Sequence, residues 1–266
     1  MLRALIFDVD GTLADTEELH RQAFNAAFME MSLGWDWGRE QYKKLLEVSG
    51  GKERIEHYIE TLPLEPMKRN ALRESIPMIH RTKTRIYKEL VESGGLPFRP
   101  GIKRLLTDAK KAGLKLGLAT TTTLDNVHAL LDSALGTRGA DWFDAVGAGD
   151  VVEQKKPAPD IYNLVLSTLR VPRHECVAFE DSVNGLRAAK SAGLVTIVTP
   201  TQWNSGHDFT GADLVVTSLG EDTLPPSTTT TRKIGGAALG LKQIEDLLLA
   251  AHPTNLPRQA GNGQKT

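Results

Sequence analysis

Short apolar runs alternate with amphipathic stretches from Gly101 onward, and one further apolar run opens the chain. Apolar runs of four to eight residues indicate buried strands, and the longer stretches with apolar residues every three or four positions indicate helices. The predicted strand segments are RALIFDV (3–9), LKLGLA (114–119), CVAFED (176–181), VTIVTP (195–200) and, at an edge, DLVVTSL (213–219). The helices between them are IKRLLTDAKKAG, LDNVHALLDSAL (which leads to DAVGAGD), APDIYNLVLSTL and VNGLRAAKSAG. This alternation predicts an α/β fold, a Rossmann-like parallel sheet flanked by helices.

The segment after the first strand has a different pattern of apolar residues. Apolar residues recur at helical spacing from about residue 16, with Leu19, Ala23, Ala27 and Met31 on one face, and helical patterns continue to about residue 92 without a convincing strand. The sequence therefore predicts a helical cap domain inserted into the α/β core. We expect a core of residues 1–16 and 96–220, a cap of residues 17–95, and a C-terminal loop, short helix and polar tail over residues 221–266.

The amino-acid composition argues against several classes of protein. The 266 residues carry 32 basic and 33 acidic side chains, a balance that argues against a nucleic-acid binder or a polybasic membrane-surface protein. No apolar stretch is long enough to span a bilayer, so we expect no membrane partner. The single Cys176 lies in the apolar run CVAF, which favours a buried, inert thiol in a reducing compartment. We expect a cytoplasmic protein, or a plastid stromal one if a transit peptide has been removed.

Polar residues cluster where the predicted strands end. Asp8 and Asp10 follow the first strand, Thr120 ends the second, and Glu180 and Asp181 end a third. Lys156 stands before Pro157, a residue that suits the first turn of a helix. Because open parallel sheets bind ligands at the carboxyl ends of their strands, the fold gathers four carboxylates, a hydroxyl and an ammonium at one edge.

These motifs, in this order, resemble the haloacid dehalogenase-like superfamily of phosphotransferases over roughly residues 1–217. The resemblance implies that Asp8 is a nucleophile that forms an aspartyl-phosphate, and that Asp10 is the general acid and base. It also implies that Thr120 and Lys156 bind the transferred phosphoryl group, whereas Lys155 is expected at the surface. The implied cofactor is Mg²⁺, held by Asp8, the main-chain carbonyl of Asp10 and Asp181, with Glu180 acting directly or through water. Dehalogenases of the superfamily lack the second aspartate, so phosphoryl transfer is favoured.

The predicted cap carries candidate anion ligands. Ser49, Gly50 and Gly51 precede a helix that begins with Lys52 and Arg54, and glycine amides at a helix start suit an anion. His80 and Lys83 share a helix face, and Glu17 follows the first motif closely enough to face the pocket. The ordinary alternative is a set of solvated charges around a turn. Two cationic sites in the cap favour a substrate with two phosphates.

The cap motifs GGKER and HRTKT, together with Glu17 and the run TTTT, resemble the CbbY-type sugar-bisphosphate phosphatases associated with Rubisco. That resemblance implies a small-molecule substrate, xylulose-1,5-bisphosphate, contacted by the cap residues and by Thr121, Thr122 and Asn126 on the opposite wall. We expect a monomer. Three alternatives stay open: a β-phosphoglucomutase-like enzyme, which shares the pattern Asp15, Thr16 and His20; a broad sugar-monophosphate phosphatase; and a catalytically idle scaffold.

Overall fold

The computed structural model describes residues 1–220 and 238–252. The predicted low-complexity loop (224–233) and the tail after residue 252 lie outside this part. The strands are β1 (Ala4–Phe7), β2 (Lys115–Thr120), β3 (Ala145–Ala148), β4 (Cys176–Glu180), β5 (Val195–Val198) and β6 (Leu214–Val215). The helices are α1 (Glu17–Glu30), α2 (Arg39–Leu45), α3 (Gly51–Thr61), α4 (Pro66–Gly94), α5 (Ile102–Lys111), α6 (Leu124–Leu135), α7 (Asp160–Leu169), α8 (Val183–Ser191) and α9 (Leu241–Ala251). Short 3₁₀ helices span Gly139–Trp142 and Arg173–Glu175.

The six strands form one parallel sheet in the order β3-β2-β1-β4-β5-β6. The first strand lies at the centre, with Phe7 in register with Leu118 of β2 and with Phe179 of β4. The rings of Phe7 and Phe179 stack, with centroids 4.5 Å apart. Since the neighbours of β1 lie on opposite sides of it, the sheet order reverses there, and a ligand crevice is expected outside the carboxyl ends of these strands.

Alternate residues of each strand enter two hydrophobic layers. Leu5 and Phe7 join the layer that contains α5, α6 and α9, whereas Ala4 and Ile6 join the layer that contains α7 and α8. This period of two explains why the strands read as continuous apolar runs in the sequence. Cys176 is buried in the second layer, and burial raises the pKa of its thiol to about 12, in agreement with the inert thiol predicted from the sequence.

Helices α1 to α4 interrupt the α/β core between β1 and α5. We call residues 17–95 the cap, and its own hydrophobic cluster is rich in aromatic rings. Phe24, Phe28, Trp37 and Tyr42 are buried there. One further ring in the cluster, Trp203, comes from the loop after β5. No helix in the described ranges is both long and apolar enough to cross a membrane.

Two local predictions differ from the structure. The edge strand predicted over residues 213–219 shortens to Leu214–Val215, because only these residues pair with β5. Pro157 does not lie in the first turn of a helix, since α7 begins at Asp160. A turn precedes this helix instead, closed by the amide of Ala158, which donates to the carbonyl of Lys155.

Arg99 ties the segment that leaves the cap to the loops beneath it. Its buried guanidinium donates to the main-chain carbonyls of Gly11, Thr199, Pro200 and Thr217. These carbonyls belong to the loops that follow β1, β5 and β6, so one side chain joins three loops at the carboxyl edge of the sheet.

We predict that Arg99→Ala destabilises the protein by at least about 2 kcal/mol, because several charge-assisted hydrogen bonds are lost and their acceptors stay buried. Thermal or urea unfolding measures this change. Arg85→Ala is the matched control, since Arg85 makes exposed ion pairs with Glu30 and Glu89 and its loss should hardly change stability. Equal stability of the two variants would contradict the role assigned to Arg99.

Candidate active site

Three buried carboxylates converge where β1 and β4 end. Asp8 follows β1, Glu180 ends β4, and Asp181 follows it. Oxygen atoms of these three side chains lie within 4.8 Å of one another. Because β1 and β4 are neighbours in the sheet, their parallel pairing sets this proximity.

Lys156 neutralises part of this cluster. It reaches the cluster from the turn before α7, and its ammonium lies 2.6 Å from Asp8 Oδ1 and 2.6 Å from Glu180 Oε1. The hydroxyl of Tyr162 donates to the same Glu180 oxygen at 2.5 Å. Glu180 is thus held firmly between an ammonium and a phenol, whereas Asp8 keeps its second oxygen for other partners.

Burial and crowding shift the protonation of this cluster. Burial raises the pKa of Asp8 to about 7, with Glu180 adding to the shift and Lys156 opposing it. The pKa of Asp181 lies well above its usual range for the same reasons, burial first and then repulsion from Asp8 and Glu180. Burial alone would lower the pKa of Lys156, but the two carboxylates beside it raise that pKa. Three crowded carboxylates with one ammonium form a donor set that suits a hard divalent cation.

The backbone of the loop after β1 requires a glycine at position 11, directly after Asp10. The φ of Gly11 is +80°, a backbone conformation that side chains other than glycine rarely adopt. A Cβ atom at this position would lie 2.1 Å from Asp181 Oδ2, so the loop after β1 can pass the carboxylate only because no side chain is present.

Asp10 turns away from this cluster and towards the cap. Its Oδ1 accepts from the hydroxyl of Thr16 at 2.7 Å and lies 2.8 Å from His20 Nε2. The ammonium of Lys83 lies 2.7 Å from His20 Nδ1, which connects Lys83, His20 and Asp10 in one line of hydrogen bonds. Burial would raise the pKa of Asp10, but the charge and hydrogen bond of His20 and the hydrogen bond of Thr16 lower it. Burial lowers the pKa of Lys83 to about 7.

A cavity of about 570 Å³ lies between the carboxylate cluster and the cap. This volume is in the range of small-molecule sites. Nearly all of the predicted site residues line it: Asp8, Asp10, Glu17, Ser49, Gly50, Gly51, Arg54, His80, Lys83, Thr120, Thr121, Thr122, Asn126, Lys156 and Asp181. Two predicted site residues stand apart from the lining, Glu180 beneath Lys156 and Lys52 outside the cavity.

Lys52 instead bridges the cap and the core. Its ammonium lies 2.6 Å from Asp150, which also pairs with Lys155 at 2.7 Å. Lys155 in turn contacts Glu53 of the cap. The prediction that Lys155 is a surface residue is wrong: its side chain is only 13% exposed, because the start of α3 packs over it. The two lysines and two carboxylates form a continuous ion-pair cluster across the boundary between cap and core.

The glycines at the start of α3 allow a close approach of the cap helices. A Cβ atom on Gly51 would lie 2.5 Å from His80 Nε2. His80 is mostly buried, and burial lowers its pKa to about 3, with Lys83, Lys52 and Lys155 adding to the shift. His80 is therefore a neutral group in the cap, not the cation that the sequence indicated.

Several residues that shape the site were not identified from the sequence. The hydroxyl of Tyr42 donates to Glu17 at 2.8 Å and accepts from the guanidinium of Arg54 at 2.9 Å. Tyr162 contacts Glu180 as described above. His20, which was noted in the sequence only as part of the mutase pattern and not as a site residue, contacts Asp10. His20 lies one helical turn after Thr16, a spacing that could have placed it beside Asp10. Nothing in the sequence connects Tyr42 or Tyr162 to their partners, because the pairing depends on how separate elements pack.

The fold and this site define a class of protein. The model of the haloacid dehalogenase-like hydrolase family matches residues 2–193, and the chain belongs to this family. The predicted resemblance and fold class are therefore confirmed. Family membership and the relatives below identify the chain as an enzyme, a phosphatase.

Among its relatives, the chain is similar to CbbY proteins. It is 50% identical over 227 residues to the plasmid protein CbbY of Cupriavidus necator, covering 84% of this chain and 88% of that protein. A CbbY variant from Rhodobacter sphaeroides, solved in complex with xylulose-1,5-bisphosphate, superposes with a TM-score of 0.77 at 46% identity, covering 83% of this chain and 97% of that one. The β-phosphoglucomutase of Bacillus subtilis is 29% identical over 235 residues, which cover 84% of this chain and 92% of the mutase.

We predict that His80→Gln makes the protein more resistant to acid. An imidazole in the unfolded chain binds a proton below about pH 6.5, whereas the buried His80 does so only below about pH 3. Between these values the unfolded state binds more protons, so the wild type loses stability as the pH falls through this window. Acid titration followed by circular dichroism should give a lower midpoint for His80→Gln. His128→Gln, at an exposed position, is the control. An unchanged midpoint for His80→Gln would contradict the neutral, buried state of His80.

Proposed function

We propose that the protein is a Mg²⁺-dependent phosphatase that hydrolyses xylulose-1,5-bisphosphate to xylulose 5-phosphate through an aspartyl-phosphate on Asp8. One observation carries this proposal: Asp8, paired with Lys156 in a buried carboxylate cluster, lines a cavity that the Gly50–Gly51 turn of the cap also lines. The similarity to a CbbY protein solved with that bisphosphate supports the choice of substrate.

Asp8 has the position of a nucleophile. One of its oxygens is fixed by Lys156, so the other can attack the phosphorus atom while the leaving sugar oxygen departs on the opposite side. Asp8, Asp181, the carbonyl of Asp10 and, directly or through water, Glu180 would hold the cation. When bound, Mg²⁺ supplies positive charge that offsets the repulsion between the carboxylate and the phosphate dianion. Lys156 and Thr120 stabilise charge on the phosphoryl oxygens as the group transfers.

Asp10 has the position of the general acid and base. The leaving alkoxide takes a proton from the carboxyl of Asp10, and the resulting carboxylate later takes a proton from the water that attacks the aspartyl-phosphate. With Lys83 donating to Nδ1, the other ring nitrogen of His20 donates to Asp10. This arrangement stabilises the carboxylate form, which is the form that activates water. His20 and Lys83 also hold Asp10 to the cap, so its position depends on how the cap is seated.

The phosphate that is not cleaved would bind at the start of α3. The amides of Gly50 and Gly51 lie there, and this helix end carries partial positive charge. Ser49, Arg54, His80 and Lys83 line the same part of the cavity. On the opposite wall the Nδ2 of Asn126 donates to Thr122, whereas its buried Oδ1 has no partner within the described part of the chain. A sugar hydroxyl is a suitable donor to this oxygen.

The mutase alternative rests on the similarity to β-phosphoglucomutase and on the shared Thr16 and His20. The two activities differ in the acceptor of the phosphoryl group, a water molecule in one case and a sugar hydroxyl in the other. Wild-type protein that converts a hexose 1-phosphate to its 6-phosphate faster than it releases phosphate from the bisphosphate would favour the mutase.

We predict that Asp8→Asn abolishes phosphate release, because the amide cannot form an acyl-phosphate and is a poor ligand for Mg²⁺. Asp10→Asn should slow turnover by about 10² to 10⁴, the usual contribution of a general acid and base. A phosphate-release assay measures both changes, and circular dichroism checks the fold. Substantial turnover by Asp8→Asn, or turnover by wild-type protein in EDTA, would exclude the proposed chemistry.

We predict that Lys52 leaves Asp150 for the uncleaved phosphate when the bisphosphate binds, so that Lys52→Ala lowers kcat/KM for xylulose-1,5-bisphosphate by about 10- to 100-fold, the effect of losing one or two hydrogen bonds to a charged group. A small monophosphate, which does not reach the start of α3, should hardly be affected. Asp150→Ala is the matched control, since it removes the partner that holds Lys52 in this structure but no ligand of the substrate. Its kcat/KM should stay near that of the wild type. If Lys52→Ala and Asp150→Ala behave alike, Lys52 is an ion-pair residue and not a ligand.

A further inference from the structure

The loop after β5, residues 199–206, belongs to the core in sequence but is anchored in the cap. Trp203 is 6% exposed and packs in the hydrophobic cluster of the cap. Its ring meets that of Tyr42 edge-on, with centroids 5.6 Å apart, and the guanidinium of Arg39 lies 4.8 Å above it. The neighbouring Gln202 also accepts a hydrogen bond from Arg39 at 3.3 Å.

The next residue, Asn204, holds a carboxylate of the catalytic cluster. Its buried Nδ2 donates to the main-chain carbonyl of Asp181 at 2.7 Å and to Asp181 Oδ2 at 2.8 Å. Its Oδ1 accepts from the amide of Thr201 at 2.7 Å, which fixes the orientation of the side-chain amide. Asp181 is thus held by Asn204 on one side and packed against Gly11 on another.

Trp203 and Asn204 themselves line the cavity, and further contacts connect Trp203 to the part of the wall that the cap supplies. Tyr42, on which Trp203 packs, donates to Glu17 and accepts from Arg54, and both of these residues line the cavity. An unbroken series of contacts therefore runs from the cap wall through Tyr42, Trp203 and Asn204 to Asp181. The connection between Trp203 and Asn204 is covalent, so a change in the seating of the cap is transmitted to the hydrogen bonds of Asp181.

We propose that Asn204 is a positioning residue for Asp181, and that Trp203 couples the orientation of this carboxylate to the seating of the cap. The proposal rests on the metal site of the proposed function. It implies that a ligand that engages the cap raises the affinity for Mg²⁺, and that Mg²⁺ raises the affinity for that ligand by the same factor.

The first test measures Mg²⁺ binding by calorimetry without substrate. Asn204→Ala should weaken Mg²⁺ binding by about 10- to 100-fold, the usual effect of losing a residue that orients a metal ligand. Asn204→Leu, which keeps the volume of the side chain but has no donor, should weaken it similarly. Thr201→Val is the control: it removes the hydroxyl, which accepts from the amide of Trp203 and donates to Asn204 Oδ1 at 3.5 Å. It keeps the stronger bond from the Thr201 amide to Asn204 Oδ1 and both bonds from Asn204 to Asp181. Its affinity should match that of the wild type.

A kinetic readout separates positioning from a general loss of structure. In Asn204→Ala, the Mg²⁺ concentration that gives half-maximal activity should rise by about the same 10- to 100-fold, and saturating Mg²⁺ should restore kcat. The KM for the sugar phosphate at saturating Mg²⁺ should stay near that of the wild type. A variant with a merely damaged fold would lose kcat at every Mg²⁺ concentration.

The second test measures the coupling itself in an Asp10→Asn background, whose slowed turnover preserves most of the bisphosphate during a short binding measurement. Mg²⁺ affinity is compared with and without xylulose-1,5-bisphosphate, and with and without inorganic phosphate, which contacts the cation but does not reach the cap. Trp203→Leu should reduce the enhancement given by the bisphosphate at least fivefold and leave that given by phosphate unchanged. Phe28→Leu, which alters the same aromatic cluster without contacting the loop, should change neither.

The outcomes distinguish this proposal from the one on which it rests. Wild-type protein that binds no Mg²⁺ would overturn the metal site of the proposed function and this proposal with it. If the wild type binds Mg²⁺ and both Asn204 variants bind it equally well, Asn204 has no positioning role. An enhancement by bisphosphate that is the same in Trp203→Leu and in the wild type would overturn the coupling.

Discussion

The repulsion among Asp8, Glu180 and Asp181 is the constraint around which the site is built. Three carboxylates in one buried place are unstable as anions unless positive charge lies between them. Lys156 supplies part of that charge, and its contacts with Asp8 and Glu180 leave Asp181 as the carboxylate with the least compensation. The three carboxylates therefore favour a cation between them, which is the role proposed for Mg²⁺. The cap, the surrounding loops and Asn204 position the polar groups around these three carboxylates.

The sequence predicted the core of the site because strand ends in a parallel sheet share one edge. Asp8, Thr120 and Glu180 each end or follow an apolar run, and the order of the motifs fixed the family before any packing was known. The insertion of a helical cap was equally visible, since helical periodicity replaces strand-like runs after residue 16. These features depend on local pattern and on the topology of the sheet, both of which can be predicted from sequence.

The contacts between cap and core could not be predicted in this way. Lys155 was assigned to the surface, yet it lies with Lys52 in one ion-pair cluster between the start of α3 and the core. The neutral state of His80 likewise follows from burial beside Lys83, which a sequence motif does not record. Side chains at this boundary have partners about 100 residues away in the sequence. Which residues pair depends on how the cap is placed relative to the core.

The burial of Cys176 within the sheet has a practical consequence for measuring how the cap moves relative to the core. It is the single cysteine of the chain, it has no exposed surface, and burial raises the pKa of its thiol to about 12. Maleimide or spin-label chemistry would therefore meet no background reaction in the folded protein. Cysteines introduced at exposed positions such as Met67 in the cap and Val151 in the core could then be labelled specifically. The two labels would report the distance between cap and core during turnover.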